Sequence, residues 1–152
     1  MLLPIYIYGH PILRKVSEDI TPEYEGLSKL LDDMWQTMYE SDGVGLAAPQ
    51  IGKNIRIFVI DGSPFEELDP ACKDFKKAFI NAHILERTGE DVPFNEGCLS
   101  IPGIHEDVMR KDRIKIAYRD ENWVEHVEEF TGTRARIVQH EYDHLDGITC
   151  QP

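Results

Sequence analysis

Along residues 22–38 the apolar side chains Leu27, Leu30, Leu31, Met34 and Met38 recur at steps of three and four, which is one buried stripe of an amphipathic helix. Thr21 is placed to cap that helix, Pro22 suits a first turn that needs no amide donor, and Gly43 can close it in a left-handed conformation. The methionines then belong to the core. The period changes at Ile55-Arg56-Ile57-Phe58-Val59-Ile60, a β-branched run that predicts a strand buried at least in part. Residues 61–77 mix Gly, Pro, acids and lysines and read as a surface loop, and residues 78–85 form a second strand candidate. Over residues 113–118, Ile114, Ile116 and Tyr118 alternate with polar positions. Asp120-Glu121-Asn122 then turns the chain into residues 123–130, giving an antiparallel hairpin. A last helix follows Thr131-Gly132-Thr133, with Thr133 as candidate cap, and Asp146-Gly147 ends it. Strands first and a late helix packed on them predict an α+β domain, antiparallel sheets around that helix.

The late helix carries Gln139-His140-Glu141-Tyr142-Asp143-His144. Residues four apart share a helix face, so His140 and His144 can reach one metal ion. Glu141 lies beside the first of them, close enough to handle the protons of a water without being a ligand. Two histidines at this spacing also occur on ordinary helices, so the chemistry needs support from elsewhere in the chain.

Composition narrows the setting. At 152 residues, 41% hydrophobic and 29% charged, the chain is expected to be a single soluble domain spanning residues 1–152. A formal net charge of −12 disfavours general attraction to nucleic acid or anionic membrane, and no nucleic-acid motif is evident. The N-terminal apolar run has no basic flank and is broken by Pro4 and Gly9, so it does not read as a signal peptide; no later run reaches the length of a membrane span. Three cysteines, Cys72, Cys98 and Cys150, without regular spacing, point to a reducing, cytoplasmic setting, not to a disulfide framework.

Two further stretches bear on the helix. In Gly43-Val44-Gly45-Leu46-Ala47-Ala48-Pro49-Gln50 the small residues would let a ligand's backbone come close, although a tight turn explains them equally well, and no phosphate-loop ending follows. Gln50 could donate a hydrogen bond into a site. A catalytic metal usually takes three protein ligands and keeps one position open. In Glu96-Gly97-Cys98-Leu99-Ser100, Cys98 can supply the third as a thiolate, or else be a small buried hydrophobe.

Taken in order, these three stretches resemble the three signature motifs of the peptide deformylase family. Tyr8-Gly9-His10-Pro11-Ile12-Leu13-Arg14 is similar to that family's N-terminal segment, so the resemblance covers nearly the whole chain. It implies an enzyme that removes the formyl group from the initiator N-formylmethionine of newly made polypeptides, through a water activated by one divalent metal. The family metal is Fe²⁺, which Zn²⁺, Ni²⁺ or Co²⁺ can replace. By the same resemblance Cys98, His140 and His144 are the metal ligands and Glu141 the general base and acid. Gln50 and the Leu99 amide would stabilise the oxyanion, Gly45 would pair with the substrate backbone, and Val44, Gly43, Ile137 and Glu96 would line the substrate pocket. Asp143, with Arg110 as partner, would orient the helix from outside the ligand set. Partners implied are formylmethionyl nascent chains and a transient contact with the ribosome.

The match has departures. His105 stands where many relatives have an arginine, and Arg136 where an apolar residue is common, its charge expected to reach water past a packed stem. The chain also stops soon after the helix, where relatives usually continue. The rival enzyme class is a zinc metallopeptidase built on His-Glu-x-x-His, disfavoured by Cys98 in its Gly-Cys-Leu-Ser setting. The rival outside enzymes is a non-catalytic metal-binding module, disfavoured by the presence of Gln50 and Glu141 beside all three candidate ligands.

Overall fold

The amphipathic stripe folds as helix α1 (Leu27–Glu40), but it starts a turn and a half later than Thr21. Gly26 precedes it at φ 77°, a left-handed conformation outside the helix, and Thr21 instead accepts the Tyr24 amide in a separate turn at 3.0 Å. At the other end the chain turns back on the helix. The Ser41 amide bonds to Thr37 and Met38, and Gly43 donates to the Met38 carbonyl at 3.0 Å, which closes the last turn. Met34 and Met38 are fully buried, as core residues. The computed structural model describes residues 2–5, 11–41, 43–97 and 105–147, with residues 14, 94–97 and 105–108 described by their backbone alone.

Among the described residues five strands follow: β1 (Gly45–Ala47), β2 (Ile57–Asp61), β3 (Lys76–Gly97), β4 (His105–Arg119) and β5 (Glu125–Thr131). They pair antiparallel in sequence order as one sheet. Helix α2 (Gly132–Leu145) closes the chain against β1, β2, β4 and β5. The fold is α+β, with the late helix packed on antiparallel strands.

Strand periodicity decides where the cores sit. Along β2, Phe58 and Ile60 face α2, while Ile57 and Val59 face α1, so this part of the sheet is covered on both sides. Ile114, Ile116 and Tyr118 of β4 join Phe130 of β5 on the α2 side, as the alternation required. Phe79 stacks on Phe58 (centroids 4.6 Å) and lies against Tyr118 (4.4 Å), forming the aromatic centre of that layer. The segment expected as surface loop, residues 61–77, contributes too. Two short 3₁₀ turns, Ser63–Phe65 and Pro70–Cys72, bring Cys72 and Phe75 into the α2-side core.

The β3–β4 hairpin is far longer than its hydrophobic pattern indicated. Register shifts between Ile80 and His83, Ile84 and Glu86, and Thr88 and Asp91 place extra residues in β3 and bend it. At the last of these, Gly89 has φ 84° and a Cβ there would lie 1.8 Å from Asp112 Oδ1, which accepts the Glu90 amide at 3.1 Å. Only glycine fits that turn.

Helix α2 begins beyond Thr131, whose side chain makes no capping bond, with the backbone turning at Gly132 (φ 59°). Thr133 is therefore inside the first turn and not the cap. Its other end stops at Asp146, with Gly147 at φ 75°. Here the buried Arg56 donates to Asp146 Oδ1 and to the Ala82 carbonyl, both at 2.9 Å, and reaches the Leu145 carbonyl at 3.4 Å. Its guanidinium also lies 5.2 Å from the Tyr142 ring centroid. A cation at a helix carboxyl end complements the exposed carbonyls and the helix dipole. Arg56→Met strips the Ala82 carbonyl and the Asp146 carboxylate of this charged donor, and should lower stability by about 2 kcal/mol. Urea denaturation checks it; an unchanged midpoint would mean that packing alone holds this end of α2.

Candidate active site

Helix α2 is unusual in what it buries. Arg136, Gln139, Glu141 and His144 are all less than 9% exposed, alongside the apolar Ala135, Ile137, Val138, Tyr142 and Leu145. His140 and His144 sit one turn apart with ring centroids 5.7 Å apart and planes at 75°. Glu141 Oε2 lies 3.8 Å from His140 Nε2. The helix thus presents two imidazoles and a carboxylate in one small volume.

β1 provides the opposing wall. A Cβ on Gly45 would stand 2.6 Å from Glu141 Cγ and 2.9 Å from its Oε2, so the strand backbone is pressed against the carboxylate. Gly45 is in register with Ile60, which fixes its position from the other side. Val44 precedes it, with its carbonyl accepting the Asp61 amide at 2.8 Å and its side chain against the same core as Ile137. Gln50 lies in a 3₁₀ turn, Ala48–Ile51, packed against α2, not on an open loop. Its Oε1 accepts the Ala47 amide at 3.0 Å, which turns the NH₂ end the other way as a donor. Gln50 is 2% exposed.

Asp143 faces outward from the pair of imidazoles toward the hairpin. Arg110 Nη1 meets its Oδ2 at 2.6 Å, and Arg87 Nη2 stands 3.5 Å from its Oδ1. Arg110 and Asp143 are both largely buried, so the carboxylate is a paired one rather than a solvated acid. Arg136 departs from expectation. Its charge does not run out to water: the residue is 8% exposed and its guanidinium donates to the Val92 carbonyl on β3. A charge withdrawn from water needs such a partner.

Sequence reasoning missed Arg87 and Arg56. Arg56 carried a signal, a lone cation inside the apolar run that became β2, which required a buried acceptor somewhere. Arg87 carried none, because its role depends on the bend of β3.

Among the described residues no three His, Cys, Asp or Glu side chains gather into a metal-binding group. The third donor expected, Cys98, lies outside the described residues, as does Leu99; the side chains of Glu96 and His105 are outside them too. Cys72 is not a substitute. Burial pushes its thiol pKa up, and Asp69 adds to this, so it stays a protonated core residue.

The polypeptide deformylase family model matches residues 2–151. The chain belongs to the polypeptide deformylase family. It is 53% identical to the peptide deformylase of Christiangramia forsetii, over 97% of this chain and 79% of that one. The crystal structure of peptide deformylase from Thermotoga maritima superposes with a TM-score of 0.88 at 40% identity, covering 98% of this chain and 95% of that one. The Met-Ala-Ser-bound class I type b peptide deformylase from Acinetobacter baumannii gives 0.87 at 33% identity, covering 98% and 96%. The chain is accordingly a hydrolase that removes the N-formyl group from nascent polypeptides, in a metal-dependent family. The described donors suit such a cation: two imidazoles one helical turn apart, with a carboxylate 3.8 Å from the first of them.

The contact between Gly45 and Glu141 yields a steric expectation. Gly45→Ala must push the carboxylate aside, and a displacement of about 1 Å can cost on the order of 10²-fold in rate. Deformylation should fall by roughly that factor while metal content, read by elemental analysis, stays at the parental level.

Proposed function

We propose that deformylation runs in the cleft between β1 and α2, with Cys98, His140 and His144 holding one divalent cation and Glu141 moving the protons. The observation that carries this is the packing of Gly45 against Glu141, which sets the carboxylate 3.8 Å from the His140 imidazole and against a strand edge. A cation held by that donor set supplies the Lewis acidity that makes water a competent nucleophile near neutral pH. Glu141 accepts a proton from the attacking water and returns it to the leaving amine. Its burial favours this, since a carboxylate shielded from bulk water exchanges protons with what is bound beside it. Gln50 offers its NH₂ group to the developing oxyanion, joined by the Leu99 amide. The Ala47 bond to Gln50 Oε1 supports that assignment, because it fixes which end of the amide is the acceptor and which the donor.

Gly45 receives the substrate backbone, and Val44, Gly43, Ile137 and Glu96 line the methionine pocket. Val44 and Ile137 already share one apolar cluster, which supports their part of this reading. Asp143 and Arg110 fix the helix from its other side. The substrate is a formylmethionyl nascent chain; the Acinetobacter baumannii relative holds Met-Ala-Ser, which has the sequence of such a product. We take the whole of residues 1–152 as one catalytic domain, working in the cytoplasm with transient access to the ribosome. No helix among the described residues is long and apolar enough to cross a membrane. Fe²⁺ is the proposed metal, with Zn²⁺, Ni²⁺ or Co²⁺ able to replace it; a thiolate beside two imidazoles accommodates all four.

The deciding experiment is hydrolysis of formyl-Met-Ala-Ser under argon, with Fe²⁺ or Ni²⁺ added to metal-stripped protein. Formate release that depends on the added metal, with no cleavage of internal peptide bonds, is expected; cleavage of internal bonds would move the enzyme to the metallopeptidases. Glu141→Ala is expected to retain its metal and lose nearly all turnover, whereas a near-parental rate with full metal content would remove Glu141 from the proton path. Cys98→Ser should release the metal on gel filtration while keeping the parental circular dichroism spectrum.

A further inference from the structure

Three side chains of α2 reach across to the outer part of the β3–β4 hairpin. Arg136 donates to the Val92 carbonyl, Gln139 Nε2 donates to the Lys111 carbonyl at 2.7 Å, and Asp143 receives Arg110 at 2.6 Å. Val92 is in register with Arg110, so the Arg136 and Asp143 contacts grip opposite strands at the same level of the hairpin. This level lies beyond the Gly89 bulge, where β3 has bent, and the pairing then runs on to Gly97 opposite His105. Gly97 is one peptide bond before Cys98. Arg136 also stands one helical turn before His140, which stands one turn before His144, so anchor and imidazoles share a helix face.

We infer that Arg136 is a positioning residue for the metal site: its guanidinium ties the outer hairpin to the helix that bears both imidazoles. This rests on the proposed ligand set. The hairpin and α2 are far apart in sequence, and a backbone carbonyl is a fixed acceptor that only a long, buried donor can reach from the helix. Arginine suits the task, since its planar fork is pre-organised and stays charged when buried. A strand arm held at one level by one ion pair and two hydrogen bonds to backbone carbonyls cannot slide or swing against the helix, so Gly97 at its end keeps a constant place relative to the helix that bears the imidazoles.

Co²⁺ is the probe, since a thiolate ligand gives it a near-ultraviolet charge-transfer band. Arg136→Met is expected to keep the parental far-ultraviolet circular dichroism. It should lose much of that band and release cobalt to a competing chelator about 10- to 100-fold faster, the usual range for loss of a group supporting a metal ligand. Arg136→Lys, a charged but single-point donor, should fall between. A methionine variant with parental band and release rate overturns the inference, even where its urea midpoint drops, because that pattern marks a purely structural role. Should only the lysine variant fold, severalfold faster release supports the inference and a parental rate overturns it. Parent protein that takes up no cobalt overturns the ligand set and this inference together, whereas parent that binds cobalt beside an indifferent variant overturns the inference alone.

Discussion

Burying a polar helix is the constraint on which this structure turns. Helix α2 takes an arginine, a glutamine, a glutamate and a histidine out of water, and each such group is costly to bury without a partner. For Arg136 and Gln139 the surrounding strands supply the backbone carbonyls of Val92 and Lys111, Arg110 pairs with the neighbouring Asp143, and Arg56 satisfies the helix end. Those partners are directional, so they fix rotation and axial position of the helix in a way that apolar packing does not. An active site built on one face of α2 inherits that rigidity.

The second determinant is close approach. β1 is three residues long and fully buried, and its first residue lacks a side chain where Glu141 presses against the backbone. Cradling a carboxylate between a strand and its own helix shields it from bulk solvent and leaves it facing the imidazoles. The same stretch then turns at Ala48–Ile51, where Gln50 bonds back to Ala47. One short segment therefore packs against the Glu141 carboxylate and orients the Gln50 amide, which explains why its small residues are grouped rather than scattered.

The long hairpin plays a different part. β3 and β4 are much longer than the cores need, and their outer half reaches α2 through polar contacts at Val92 and Lys111. Its hydrophobic signal is correspondingly weak: residues 86–97 contain few apolar positions and little alternation, which is why only residues 78–85 read as strand. The bulge at Gly89 adds residues out of step and blurs the period further.

Local chemistry is what the chain makes plain without coordinates. The three-and-four spacing of α1, the alternation of Ile114, Ile116 and Tyr118, the turn at Asp120, and the stop at Gly147 depend on neighbours within a few residues, so they can be seen in the order of letters. The His-Glu-x-x-His spacing belongs to the same class, since helix geometry alone puts both imidazoles on one side. What only folding decided were the encounters between distant segments: Gly45 with Glu141, Arg136 with Val92, Arg56 with Asp146, and Cys72 in the core. Helix starts were misplaced for a related reason, because Thr21 and Thr133 are able caps whose use depended on the conformations of Gly26 and Gly132. A periodic pattern states which face is buried; it carries no information about which carbonyl waits there, because that is set by the register and bend of strands tens of residues away.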